Sequence, residues 1–206
     1  MKKEKDSSTE QIILEAAEKI FLDNGYLKVT TAEIAKEAGV NHALLHYYFR
    51  TKENLFNIVF QKKSSLLQNS LLTIIQTDVP FIEKIKSWID TQMNFFVANP
   101  KLPVFIFREM MGSPDKIEMV KTVLIPKMTH VLNQLTITID EEVAKGRIRP
   151  VKPIDLLLNI VSLIMFSFLA EPVFGAIREI TKTDKEAFIE QRKQSIADLI
   201  IKNISV

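Results

Sequence analysis

Thr31, His42, His46, Tyr47, Tyr48 and Lys52 place six hydrogen-bonding side chains close together near the start of this 206-residue chain. Imidazole and phenol groups can reach the edges of DNA bases or backbone phosphates. A lysine in the first turn of a helix can hold a phosphate beside the helix N-terminus. Ala43 adds a methyl group, small enough for close approach and able to touch a thymine methyl. Spacing sorts these groups. Leu45 and Phe49 are four apart and share one helical face, while Ala43 and Tyr47 share the opposite one, flanked by Leu44 and His46. The outer face carries no acidic side chain. Such a set suits binding to nucleic acid. His42 and His46 also have the spacing of two metal ligands, but zinc needs three or four, and no Cys, Asp or third His lies nearby in the sequence.

The segments around these residues supply a frame. Thr30 and Glu33 form the pattern of a capping box, in which hydroxyl and carboxylate each satisfy the other residue's backbone N–H. Ile34, Ala35 and Ala38 follow on one face, and Ala35 is small enough for a close helix crossing. Gly39 can take a positive φ without steric cost and end that helix. Val40 returns to the core, Asn41 caps a second helix over 42–49, and Thr51 caps a third. Two short helices joined by a glycine turn make a helix-turn-helix, whose second helix fits the DNA major groove.

The run Tyr47-Tyr48-Phe49-Arg50-Thr51-Lys52-Glu53-Asn54-Leu55 resembles the Y-x-F-x-S/T-K-E-x-L signature of TetR/AcrR-type transcriptional regulators. Phe21 to Tyr26 and Thr30 to Ala35 resemble the preceding family pattern, so the match covers roughly residues 12–60. Further on, only length, helical texture and a Gly-x-x-Arg-Pro element at Gly146 to Pro150 agree. The resemblance implies a homodimer that binds a palindromic operator on double-stranded DNA and leaves it when a small molecule enters the C-terminal domain. Carried over by position, the DNA-binding set is Thr31, His42, Ala43, Leu44, His46, Tyr47, Tyr48 and Lys52. Leu44 departs from the usual Ser or Thr and His46 from the common Tyr, so the bases read differ from those of relatives.

Composition bounds the rest. Hydrophobic residues make up 47%, enough for a sizeable core, and five Gly with eight Pro leave long Leu/Ile/Lys/Glu-rich stretches that read as helix. The absence of Cys excludes disulfides, thiolate metal sites and cysteine catalysis, and suits a reducing cytoplasm. The charged start, with no apolar run behind it, shows no signal peptide. Up to Lys52, eight Lys and Arg match eight Asp and Glu, but from Asn41 to Lys63 only Glu53 opposes Arg50, Lys52, Lys62 and Lys63. Lys2, Lys3 and Lys5 could add an arm with phosphate or minor-groove contacts. The balanced charge and the loss of a hydroxyl at Leu44 leave an alternative open: a helical small-molecule or protein-binding module that no longer recognises DNA.

Periodicity predicts an all-α chain of about nine helices. The first runs over 8–24 and ends at Gly25. The fourth, over 51–77, joins residues 1–52, the expected DNA-binding domain, to residues 53–206, an effector-binding and dimerisation domain. Further helices follow over 80–98, 102–111, a segment 115–124 ending at Pro126, then a helix to 145, then 153–170, closed by Pro172 and Gly175, and finally 184–203. The 153–170 stretch is shorter than the roughly 20 apolar residues of a membrane span and is broken by Asn159, Ser162 and Ser167. A helix apolar nearly all round must be buried on several sides. With the last helix it is expected to build a four-helix dimer bundle through Leu163, Phe168, Phe188, Ile196, Leu199 and Ile200. Trp88, Gln92, Phe95, Phe105, Met128, His130, Asn159, Ser162 and Phe166 suit either a helical core or an effector pocket, and the family resemblance favours the pocket. Few acids there point to an apolar or neutral effector. No glycine-rich phosphate loop, Gly-x-Ser-x-Gly elbow or His-Glu-x-x-His occurs, so neither catalysis, nor a cofactor, nor a metal is expected.

Overall fold

The structure, a computed structural model, describes residues 2–111 and 114–206. Side chains 2–7 fall outside the described residues, so the Lys2, Lys3 and Lys5 arm has no structural account. Among the described residues the chain forms ten helices: α1 (Lys2–Lys28), α2 (Thr31–Glu37), α3 (His42–Phe49), α4 (Lys52–Gln76), α5 (Phe81–Ala98), α6 (Leu102–Met110), α7 (Pro114–Ala144), α8 (Pro153–Leu169), α9 (Glu171–Thr181) and α10 (Lys185–Ile204). They group into two compact units, one of Met1–Ser65 with Val104–Leu124, the other of Leu66–Pro103 with Ile125–Val206. Helices α4, α6 and α7 contribute residues to both.

The first unit is built around an aromatic core. Phe21, Phe49, Phe56, Phe60 and Phe105 are fully buried. Phe56 meets Phe21 edge-on at 5.2 Å, Phe60 at 5.8 Å and Phe105 at 5.8 Å. Such pairs add about 0.5–1.5 kcal/mol each beyond the area they bury. Gly25 interrupts α1 as expected, with φ 76° and ψ 168°, but helix resumes for a further turn to Lys28.

In the second unit α5, α8 and α10 pack together around Ile85, Ile89, Met93, Phe96, Ile160, Ile164, Ile196 and Ile200. Lys193 on α10 is buried, with its ammonium 2.9 Å from Asp90 and 2.7 Å from the Asn94 side-chain oxygen. The Gly146–Pro150 element has a clear local role. Gly146, at φ 67°, ends α7, and Arg149 donates to the carbonyls of Lys202 (3.0 Å) and Asn203 (2.8 Å), capping the C-terminus of α10.

One expected break is not a break, and after another the chain turns directly into a further helix. Pro126 lies inside α7, which runs on through it. Proline removes one backbone donor, and burial of Val131, Leu135 and Ile139 downstream outweighs that loss. The 153–170 helix ends just ahead of Pro172, at Leu169, but Pro172 also lies in the first turn of a further helix, α9, which was not expected, at a position where its fixed φ suits a helix. Arg178 then pairs with Glu171 along α9. Among the described residues no single helix is long and apolar enough to cross a membrane; α8 and α9 reach that length only together, across a 66° bend.

Candidate nucleic-acid interface

The helix-turn-helix is fixed by caps. Glu33 N–H donates to the Thr30 hydroxyl at 3.2 Å, and Thr30 N–H donates to the Glu33 carboxylate at 2.8 Å. These bonds to the carboxylate, the Thr30 backbone one foremost, hold Glu33 below its ordinary pKa. At the other end of α2, Val40 N–H donates to Ala35 C=O at 3.0 Å and Gly39 N–H to Lys36 C=O at 3.2 Å. This pair of bonds is a Schellman closure, which requires the left-handed backbone that Gly39 adopts at φ 66°. Asn41 then accepts from Leu44 N–H at 2.7 Å and starts α3. Leu45 and Phe49 are buried, so α3 has one face in the core.

The opposite face is open. His42, Ala43, His46 and Tyr47 are exposed, Tyr47 at 73%. Leu44 and Tyr48 are half-buried at its flanks, and the Tyr48 ring meets Tyr47 edge-on at 5.3 Å. Thr31 is half-buried; its hydroxyl and the His42 Nε2 lie 2.9 Å apart, linking the starts of α2 and α3. The imidazole is thereby held in place, with Nδ1 left for a further partner.

Lys52 departs from expectation. Its ammonium does not point out as a phosphate clamp. It donates to the backbone carbonyls of Tyr26 (2.9 Å) and Val29 (2.8 Å) and sits 4.2 Å from the centre of the Tyr26 ring. Desolvation pushes its pKa below the ordinary value. The turn explains the redirection. Arg50 has φ 62° and ψ −55°, and Thr51 N–H reaches back to Phe49 C=O at 2.6 Å, a tight three-residue turn of the rare positive-φ kind. That reversal carries the start of α4 back over the end of α1.

The residues expected to form an effector pocket do not converge. Phe105 belongs to the aromatic core of the first unit. In the second unit, His130, Asn159, Ser162 and Phe166 are exposed, Phe166 at 60%. Gln92, Phe95 and Met128 are half-buried. Among the described residues Trp88 lines a shallow cleft of about 10 Å³, room for about one water, with Leu71, Ile74, Ile75, Phe81, Lys84, Ile85, Leu135 and Thr138. The Trp88 indole donates to Gln92 at 2.8 Å, and Lys84 donates to Ile75 C=O at 2.7 Å. Residue type and helical periodicity do not say which helix faces leave a gap.

The expected dimer residues also divide. Ile196 and Ile200 are already buried within one chain, because α10 packs on α5 and α8, so they are unavailable to a partner. Phe168 packs on Phe96, with ring centres 5.4 Å apart, and Phe188 lies under the Arg178 guanidinium at 4.9 Å. Leu163 is half-buried and Leu199 is 58% exposed. The open side of α8 carries Ile154, Leu158, Ser162 and Phe166, four residues apart and all exposed.

An all-helical chain with a capped helix-turn-helix, whose second helix bares a face free of carboxylates, has the anatomy of a DNA-binding regulator. Comparison with known proteins agrees. Residues 13–59 match the domain described as "Bacterial regulatory proteins, tetR family", and residues 82–200 match "Tetracyclin repressor-like, C-terminal domain". The chain is similar to the HTH-type transcriptional regulator YhgD of Bacillus subtilis (strain 168), 24% identical over 177 residues, covering 85% of this chain and 88% of that one. Over 44 residues, 21% of this chain and 23% of the relative, it is 48% identical to the HTH-type transcriptional regulator QacR of Staphylococcus aureus. The crystal structure of the regulator FadR from Bacillus subtilis in complex with stearoyl-CoA matches with a TM-score of 0.71 at 19% identity, over 94% of this chain and 98% of that one, a likeness of fold. The chain belongs to the tetR family of bacterial regulatory proteins. It is a DNA-binding transcriptional regulator.

Proposed function

We propose that the protein is a homodimeric repressor of the cytoplasm that sets its two α3 helices into successive major grooves of a palindromic operator. The observation that carries this reading is the bare outer face of α3, with Tyr47 at 73% exposure and no acid beside it. Thr31, His42, Ala43, His46 and Tyr47 make the direct contacts, with Leu44 and Tyr48 at the flanks. Twofold symmetry sets the half-sites about one turn, roughly 34 Å, apart. The exposed α8 stripe of Ile154, Leu158 and Phe166, with Leu199, supplies the surface for the second copy. Isologous pairing of one apolar stripe with itself is the simplest way to remove it from water. No catalytic role is assigned to any residue.

The effector is a molecule with an apolar body. The stearoyl-CoA bound by the FadR of similar fold supports this. Its binding releases the operator only through different affinity for two conformers of the dimer.

Gel-shift titration against the DNA upstream of the protein's own coding region tests the reading. Salt-sensitive binding to one footprint is expected, and Tyr47→Ala weakens it by about 1–3 kcal/mol with the fold intact. Light scattering should give twice the chain mass for the wild type and the chain mass for Leu158→Glu. A monomeric wild type, or binding indifferent to sequence, overturns the proposal. Trp88 is the sole tryptophan, so its fluorescence reports a ligand that rearranges the second unit.

A further inference from the structure

We infer that Glu109, on the last turn of α6, is a positioning residue for the recognition helix. The inference rests on the reading of α3 as the helix that enters DNA. Glu109 is 4% exposed, and its Oε1 accepts the Tyr26 N–H at 3.1 Å from 83 residues away in sequence. The carbonyl of the same Tyr26 accepts the Lys52 ammonium at 2.9 Å. Lys52 is the first residue of α4, joined through the tight Arg50 turn to Phe49, the last residue of α3. One peptide segment thus ties α6 on one side to the exit of α3 on the other.

Arg108 braces the same segment. It donates to the carbonyls of Phe21 (3.1 Å) and Leu22 (3.4 Å) at the interruption of α1. Its guanidinium presses against Gly25, where a Cβ would lie 2.6 Å from Nε. That nitrogen has no hydrogen-bond partner among the described residues and stands 3.6 Å from the Glu109 carboxylate as an ion pair. The Tyr26 ring packs edge-on against Phe56 at 5.0 Å, under the Lys52 ammonium.

Burying a carboxylate is expensive, and an apolar side chain of similar volume commonly packs as well or better. What the carboxylate adds here is direction: a directional acceptor for one N–H, within the field of the Lys52 and Arg108 charges. Helix α3 has only eight residues, and its ends are held by the Gly39 turn and the Arg50 turn. Loosening the Tyr26–Lys52 tie frees the second of these. The outer face then samples more than one orientation, and contacts that read bases suffer more than contacts to phosphates.

The test uses full-length protein, its operator and a shuffled duplex of equal length, with Glu109→Gln, Glu109→Ala and Glu109→Leu. Glutamine keeps the acceptor, so operator affinity stays within about twofold of wild type. Alanine and leucine lose it, and operator affinity falls about tenfold while affinity for the shuffled duplex is unchanged. Amide exchange at Tyr26 quickens in the Ala and Leu variants and not in Gln. Leucine fills the site, so a folded variant remains if alanine unfolds the unit. A folded Leu variant with wild-type operator affinity, or an equal loss on both duplexes, overturns the inference. A wild type with no preferred sequence overturns the underlying reading instead.

Discussion

Replacing Lys52 by Met separates two roles that the sequence alone cannot tell apart. Methionine keeps an unbranched stem over the Tyr26 ring but removes the ammonium. The wild-type group makes two charge-assisted hydrogen bonds, to Tyr26 and Val29 carbonyls, each worth about 1.5–3 kcal/mol. Its position 4.2 Å from the ring centre adds about 0.5–1 kcal/mol. Desolvation of the ammonium, visible in its lowered pKa, takes back part of that gain. A net loss of about 2–3 kcal/mol is expected, a substantial share of the roughly 5–15 kcal/mol that holds a domain folded. Urea unfolding followed by circular dichroism, with amide exchange at Tyr26 to Thr30, measures it. Stability within about 0.5 kcal/mol of wild type, together with weakened binding to every duplex alike, would refute the internal tie and restore the phosphate clamp.

Three further outcomes are expected. Gly39→Ala meets no atom within 4 Å, so its cost is backbone strain at positive φ alone, about 1–2 kcal/mol in thermal or urea melts, and Gly39→Asn should lose less; equal stability of all three would contradict the Schellman closure. Phe105→Ala empties a fully buried site against Phe56 and Phe60 and should destabilise the first unit by about 3–5 kcal/mol; an effector-binding defect at unchanged stability would return Phe105 to the pocket. Glu142 is held below its ordinary pKa, chiefly by the Arg147 side-chain hydrogen bond. The pair therefore stabilises the fold above the ordinary carboxylate value of 4.5 and loses that contribution as pH falls through the lower folded-state value. Melting temperature measured from about pH 7 to about pH 3 should fall less steeply in Glu142→Gln than in wild type, and parallel curves would refute the linkage.

Local signals carried the DNA-binding end. Thr30, Glu33, Gly39 and Asn41 act on backbone groups within four or five residues, so their caps and turn follow from spacing alone. The four-residue spacing of Leu45 and Phe49 likewise marks the buried face of α3. Prolines were less informative. Pro126 and Pro172 carry the same local preference, yet one is carried within α7 and the other begins α9, because packing on either side decides whether a missing N–H ends a helix.

The amino-acid order by itself determined the family, the all-helical class and the motif that faces DNA, since capping and helical periodicity are short-range. Only the tertiary structure decided that Lys52 turns inward, that Phe105 joins the aromatic core, that Ile196 and Ile200 are spent inside one chain, and that Glu109 reaches Tyr26. Each of those outcomes depends on which helix meets which across long stretches of chain. An apolar side chain has the same pattern whether it faces its own core, a ligand or a second copy, and only three-dimensional packing distinguishes them.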